Sequence, residues 1–423
     1  FRIPLISTEN KLIMGKRRNK SKDFLNVSAC SRKSASTRSQ AGDSEVSDLE
    51  SIAQSSIVGD PDYQDDEPVN PRSAIDEILD SITDRKNHIR IQALDRFIYI
   101  MRNSVLTEEI EGYIQSLVEA LEKNLHNQPE MVLRACTATA LFSIQTGIAI
   151  DSHVDVLCRE LGTLVKDHTR DETLRSAAAQ ALSVVIILSV DHPEVVYNAL
   201  EALNFAWNSF KTTSTTSTLF SAAITAWSLI VFKANDTVAS KIFEQSPTKL
   251  QKYLESTNVD IRIATGEALA ALYECEGTER YIFQFIRTPH IKELLETLAQ
   301  DAVKYHAKKD KRLQRYTFRQ IMDIIYENDY PASTINYGKA SLKITSCYEH
   351  LVCDALRACL QGSLNLHLQK NQIIRNVFDL PEVQTVPVTM MTKQEKKELR
   401  QFNNEIDKAR KIQRNRQRDK KAY

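Results

Sequence analysis

The sequence predicts an all-α protein: a HEAT/armadillo-like α-solenoid with a small mixed C-terminal cap and a basic C-terminal helix. Three observations predict it. From Pro71 onward, apolar residues recur at spacings of three and four while Pro and Gly become sparse, so long helices follow one another with short breaks. Five segments then align without gaps: IRIQALDRF from Ile89, LRACTATAL from Leu133, LRSAAAQAL from Leu174, LFSAAITAW from Leu219 and IRIATGEAL from Ile261. Their spacings of 44, 41, 45 and 42 residues fall in the range of HEAT and armadillo repeats. Finally, the chain closes on EIDKARKIQRNRQRDKKAY, residues 405–423, which as a helix would be charged on every side.

The elements follow in order. The chain begins FRIPLISTENKLIM, and Met14 opens MGKRRNKSK, so residues 1–13 read as a leader before a start at Met14. The Met14-Gly15 start is an incomplete myristoylation motif, because Asn19 stands where Ser or Thr is wanted. Residues 14–70 are Ser-rich and acidic, with few large apolar residues. They cannot bury enough surface to offset the entropy of ordering, and disorder is expected. KRRNK, residues 16–20, reads either as a nuclear localisation signal or as a solvated basic patch.

Residues 71–327 carry the repeats. The second residue of each copy is Arg90, Arg134, Arg175, Phe220 and Arg262. These arginines could form an RNA-binding ladder. A structural role, each paired with an acid in its own or the next turn, outweighs that, because Phe220 interrupts the series and charged pairs are common at the turns of stacked helices. After the fifth copy comes KYHAKKDKRLQRYTFRQI, residues 304–321. Lys308, Lys309, Lys311, Arg312, Arg315 and Arg319 give it a dense positive face, with Tyr316 and Phe318 interleaved. Phosphate contacts with local stacking suit this composition. A solvated helix with Leu313, Tyr316 and Ile321 on the core suits it too, and long basic side chains can serve both roles.

The helical pattern breaks near NDYPASTINYG, SLKITS (341–346) alternates like a strand, and helical spacing returns from Tyr348. Residues 328–380 thus read as a mixed cap on the end of the solenoid, 381–392 as an extended linker and 393–423 as a basic tail helix. From Lys393 the chain holds twelve Lys/Arg against five Asp/Glu, a net of +7 inside a total of 55 against 55. Such segregation speaks of partners more than the neutral total does.

Catalytic signatures are lacking. The sequence holds no Walker A loop, no GxGxxG, no GxSxG and no HExxH, so no enzyme and no cofactor is expected. Seven cysteines without a CxxC read as reduced thiols, and the nine histidines are scattered with no Cys/His pairing at zinc spacing, so no metal site is expected. No apolar run reaches the roughly 18–20 residues of a membrane span.

Four stretches carry a resemblance: VDIRIATGEALAALYE (259–274), AKKDKRLQRYTFRQI (307–321), the YPASTINYG segment and LHLQKNQIIRNVFDL (366–380). Together they resemble the interferon-related developmental regulator family over roughly residues 71–423, with order and spacing intact. The tail is only loosely similar, and the leading residues are extra. The resemblance implies a helical-repeat protein with either of two roles. One is a factor of translationally inactive ribosomes, with the body in the intersubunit tRNA region and a C-terminal helix in the mRNA channel. The other is a transcriptional co-regulator that uses the solenoid groove for co-repressor proteins. The first has the ribosome as partner, with no membrane and no small-molecule substrate, in the cytoplasm; the second adds the nucleus.

The tail fits the first role on its own chemistry. Lys408, Arg410, Lys411, Arg414, Arg416, Arg418, Lys420 and Lys421 face one acid, Asp419, and the apolar positions Ile406, Ala409 and Ile412 end after one turn. No coiled-coil stripe survives. A helix of this length, about 28 Å, suits an environment with phosphate on every side. A generic basic tail for nuclear import or loose RNA attraction has the same composition.

Overall fold

The computed structural model describes residues 71–211, 216–276, 281–300, 308–338 and 340–383. The helices are α1 (Pro71–Ile82), α2 (Asn87–Asn103), α3 (Thr107–Ile110), α4 (Ile114–Leu125), α5 (Pro129–Thr146), α6 (Asp151–Lys166), α7 (Glu172–Ser189), α8 (Pro193–Asn208), α9 (Thr218–Val231), α10 (Asp236–Leu254) and α11 (Val259–Glu276). They continue with α12 (Tyr281–Ile286), α13 (Pro289–Gln300) and α14 (Lys308–Glu327). A hairpin of β1 (Ser333–Tyr337) and β2 (Ala340–Ile344) follows, then α15 (Cys347–Leu360), α16 (Leu364–Lys370) and α17 (Gln372–Val377).

The architecture is the α-solenoid that the repeats predict. Helices pack in sequential pairs, α1/α2, α4/α5, α6/α7, α8/α9, α10/α11 and α13/α14. The second members stack in one ladder, α2–α5–α7–α9–α11–α14. Local sequence starts each helix by simple means. Pro129 and Pro193 occupy first turns, where a missing N–H costs nothing, and Asn235 Oδ1 accepts the Val238 N–H at 2.9 Å as an N-cap.

The repeat period reappears as hydrogen bonds. Gln145, fully buried, donates to Met101 O at 2.7 Å and Ser104 O at 2.6 Å and accepts the Leu106 N–H at 2.9 Å. It closes the C-terminal end of α2, where the last carbonyls have no partner within the helix. Lys233 does the same to Val190 O at the end of α7, and Cys275 Sγ reaches Val231 O at the end of α9. These partners lie 39 to 44 residues apart in the chain.

The ladder has a sixth member beyond the five aligned segments. Leu313–Ile321 of α14 lies against α11, and Gln314 stands where four of the five other copies carry Arg, bonded through Oε1 to the Arg262 guanidinium. The 52-residue step between these two residues hides it from the 41–45 spacing. Close approach here depends on Gly266. A Cβ on it would come within 2.8 Å of Ile321 and 2.9 Å of Phe318. Gly266→Val is expected to destabilise the protein by about 1–3 kcal/mol by overpacking, read as a lower urea midpoint. An unchanged midpoint would mean that α14 does not seat on α11.

The mixed cap occupies its expected place in the chain and a different place in space. SLKITS supplies β2, and its antiparallel partner β1 comes from the STINY of the preceding break, with Ile335 opposite Leu342 and Tyr337 opposite Ala340. Gly338, at φ +55°, makes the turn. The chain then folds back, and α15 runs against α11, α9, α7, α5 and α2 rather than sitting beyond the last repeat. The physical reason is burial. The apolar residues Leu351, Val352, Cys353, Leu356 and Leu360 leave α15 no solvated role, and it shares one hydrophobic core with the ladder.

Six of the cysteines are described, and all are free thiols. Burial pushes the thiols of Cys136, Cys353 and Cys359 up to about 12, so they stay protonated. Among the described residues, only Pro129–Lys166 has the length and mean hydropathy (1.2) to cross a membrane. It is two helices, α5 and α6, broken at Gly147, with 72% of its most apolar window buried in the fold.

Candidate nucleic-acid interface

α14 is the described element that carries predicted RNA-binding residues. Its buried side holds Gln314, Thr317, Phe318, Ile321, Ile324 and Ile325. At helical spacing, positions 308, 311, 312, 315 and 319 fall within about 100° of arc that adjoins the buried side. The structure thus separates a core face from a basic face on one helix. Arg319 is exposed, and Arg312 and Arg315 are half-buried. Lys308 and Lys309 begin the helix and Lys311 lies in its first turn, but their side chains lie outside the described residues. The basic arc ends in acid. Asp323, Glu327 and Asp329 follow, and burial, then the neighbouring Asp329 and Glu327, raise the Asp323 pKa.

Two sequence readings change here. Phe318 was expected to interleave with the basic residues and offer a stacking face. It is fully buried against α11, so no base can reach it, while Tyr316 remains half-buried. Tyr316 also sits toward the basic arc, so the core position it was given falls instead to Gln314 and Phe318.

The recurrent arginines are structural, and backbone carbonyls and amides are prominent among their partners. Arg134 follows the expected pattern, at 2.8 Å from Asp95 and 3.2 Å from Glu130. Arg90 bonds the amide oxygens of Asn87 and Asn127. Arg175 donates to Val165 O at 2.9 Å, and Arg262 to Ser256 O at 2.7 Å. Both of these are 6% exposed, too little for an RNA ladder. Each places a cation at the C-terminal end of the preceding helix, where carbonyls are unpaired and the helix dipole is negative. In the copy with Phe220 the task passes to Tyr253. Its ring packs 4.7 Å from Phe220, and its hydroxyl lies 3.0 Å from Asn208 O and from Phe210 O at the end of α8.

The tail residues Lys408, Arg410, Lys411, Arg414, Arg416, Arg418, Lys420 and Lys421 lie outside the described residues, as do KRRNK and the leader. The described chain ends beside α17, where Arg375 donates to Pro381 O and Val383 N–H donates to Gln372.

One group of metal-ligating residue types comes together that spacing did not single out. Glu122 and His126, near the end of α4, and Glu160 of α6 hold their ligand atoms within 4.8 Å of one another. His126 Nε2 lies 3.1 Å from Glu160, and an imidazole–carboxylate pair between an exposed His126 and a mostly buried Glu160 accounts for the contact.

The comparisons with known proteins bear on the whole chain. A family model described as interferon-related developmental regulator matches residues 28–326, and one described as interferon-related protein conserved region matches 371–422. The match begins well before the repeats and takes in the tail. The human protein "Interferon-related developmental regulator 1" is 28% identical over 361 residues, covering 82% of this chain and 80% of that protein. The mouse "Interferon-related developmental regulator 2" is 28% identical over 360 residues, covering 81% of each. Among solved structures, a designed armadillo repeat protein aligns over 58% of this chain and 98% of its own, at 15% identity and a TM-score of 0.40. An engineered protein aligns over 60% and 98%, at 15% identity and 0.43. Such loose superposition leaves the fold to rest on the chain's own helix pairs. With well over half of its length matched by the family model, the chain belongs to the interferon-related developmental regulator family.

Proposed function

We propose that this protein is a non-enzymatic ribosome-binding factor of translationally inactive ribosomes. Its solenoid body lies in the intersubunit tRNA region, its basic C-terminal helix occupies the mRNA channel, and it excludes mRNA and tRNA by filling their volume. The observation that carries this reading is the division of α14. A core face with Phe318 and Ile321 holds the helix in the ladder, while the basic positions among 308–319 gather on the adjoining arc. rRNA phosphates reward such a concentration of positive charge. The tail, net +7 from Lys393, adds a second cationic element, and membership of the family supports the same reading.

The co-regulator reading calls for a solenoid groove open to a partner. In this chain α15 already lies along five of the ladder helices, which reduces the surface that reading would use.

The test is the triple variant Arg312→Gln, Arg315→Gln, Arg319→Gln, titrated against ribosomes at several salt concentrations. The expected result is weaker binding and a log–log salt slope shallower by about 2–3. Equal affinity and equal slope would remove α14 from the interface.

A further inference from the structure

Stacked helical repeats touch only their neighbours, so their ends open independently of the middle. Here one helix bridges five of the six ladder members. α15 lies against α11, α9, α7, α5 and α2, and both of its termini are held by the ladder. At its N-terminus the Glu274 carboxylate of α11 accepts the Cys347 N–H at 2.7 Å and the Tyr348 N–H at 3.1 Å, and Ser346 caps the Glu349 N–H at 3.0 Å. At its C-terminus the Arg102 guanidinium of α2 donates to Cys359 O at 3.0 Å. An acid thus meets the positive end of the helix dipole and a cation the negative end, one from the fifth ladder helix and the other from the first.

The segment after α15 repeats the attachment to the first repeats. Ser363 donates to Asn103 at 2.7 Å, and the Asn371 amide donates to Ile144 O at 2.9 Å. His367, fully buried, sets Nε2 at 2.9 Å from Arg102 O. Burial lowers its pKa, so the neutral ring with its proton on Nε2 makes this bond. Midway along α15, Asp354 accepts from the Arg357 guanidinium and lies 3.0 Å from His350 Nε2, so its charge is met within the helix.

We propose that α15–α17 is a brace, latched by Glu274 at one end and Arg102 at the other, that holds α2, α5, α7, α9 and α11 in one mutual arrangement. The array then opens as a unit rather than repeat by repeat. The contacts at the Arg102 end join residues 257 to 265 apart in the chain, six times the repeat period, which neighbour-to-neighbour stacking never requires.

Hydrogen exchange on the full-length chain tests this. In the unmutated protein the core amides of α2 and α11 are expected to exchange through one opening, with similar protection. A first repeat that frays far faster than α11 would overturn the brace. In Arg102→Ala, exchange is expected to quicken about tenfold or more not only in α2 but also across α11 and the first turn of α15. Quickening confined to α1, α2 and the last turn of α15 would make Arg102 a local cap and overturn the proposal.

Discussion

A chain ending at Thr392 is expected to bind ribosomes far more weakly than the full-length protein, and the difference should shrink as salt rises. The residues removed carry twelve basic and five acidic side chains. If the net of +7 is neutralised by phosphate, the full-length protein should show a log–log salt slope steeper than that of the truncated chain by on the order of 5 to 6. Between 50 and 200 mM salt that corresponds to a loss of about three orders of magnitude in affinity. An apolar docking helix would behave differently, because screening does little to buried hydrocarbon. The tail offers only Ile406, Ala409 and Ile412 for such docking. Equal slopes for the two chains would mean that the tail contributes no phosphate contact.

Gln145→Leu is expected to be the most damaging conservative exchange in the ladder, costing about 3–5 kcal/mol. Leucine fills much the same volume, so the loss isolates the polar role. The amide spans three backbone groups at the end of α2, the carbonyls of Met101 and Ser104 and the N–H of Leu106. Without it these groups keep no partner in a site where Gln145 itself has no exposure. Each buried unpaired group costs roughly 1–3 kcal/mol, and water reaching Ser104 would recover part of it. Urea denaturation would record the loss as a lower midpoint. A change below about 1 kcal/mol would mean that the end of α2 finds other partners and that the inter-repeat tie is incidental.

How much of this was legible in the chain depends on the range of the contact. The repeat helices were, because the small residues of LRSAAAQAL and its fellows sit where neighbouring helices approach, and that need recurs with each copy. The sixth ladder helix was not, because the step from Arg262 to Gln314 is 52 residues and Gln replaces Arg. Phe318 read as a stacking aromatic because its neighbours are basic. Only Gly266, which has room for no Cβ beneath Phe318 and Ile321, shows which way the ring points. Gln145 carries no signal at all, since its partners are backbone atoms 39 to 44 residues away. The folding back of α15 was equally hidden. Leu351, Val352 and Leu356 announce a buried helix without naming the surface that buries it. Charge, by contrast, is local, and the basic character of positions 308–319 and of the tail is visible from composition.

Ribosome binding by a basic surface is open to a sedimentation experiment through sucrose. Lysate containing the full-length protein, and lysate containing the chain ending at Thr392, would be run at low and high salt. The full-length protein is expected to travel with monomeric ribosomes rather than polysomes, and truncation or high salt is expected to release it to the top. Full-length protein at the top of the gradient at low salt would rule out the proposed binding.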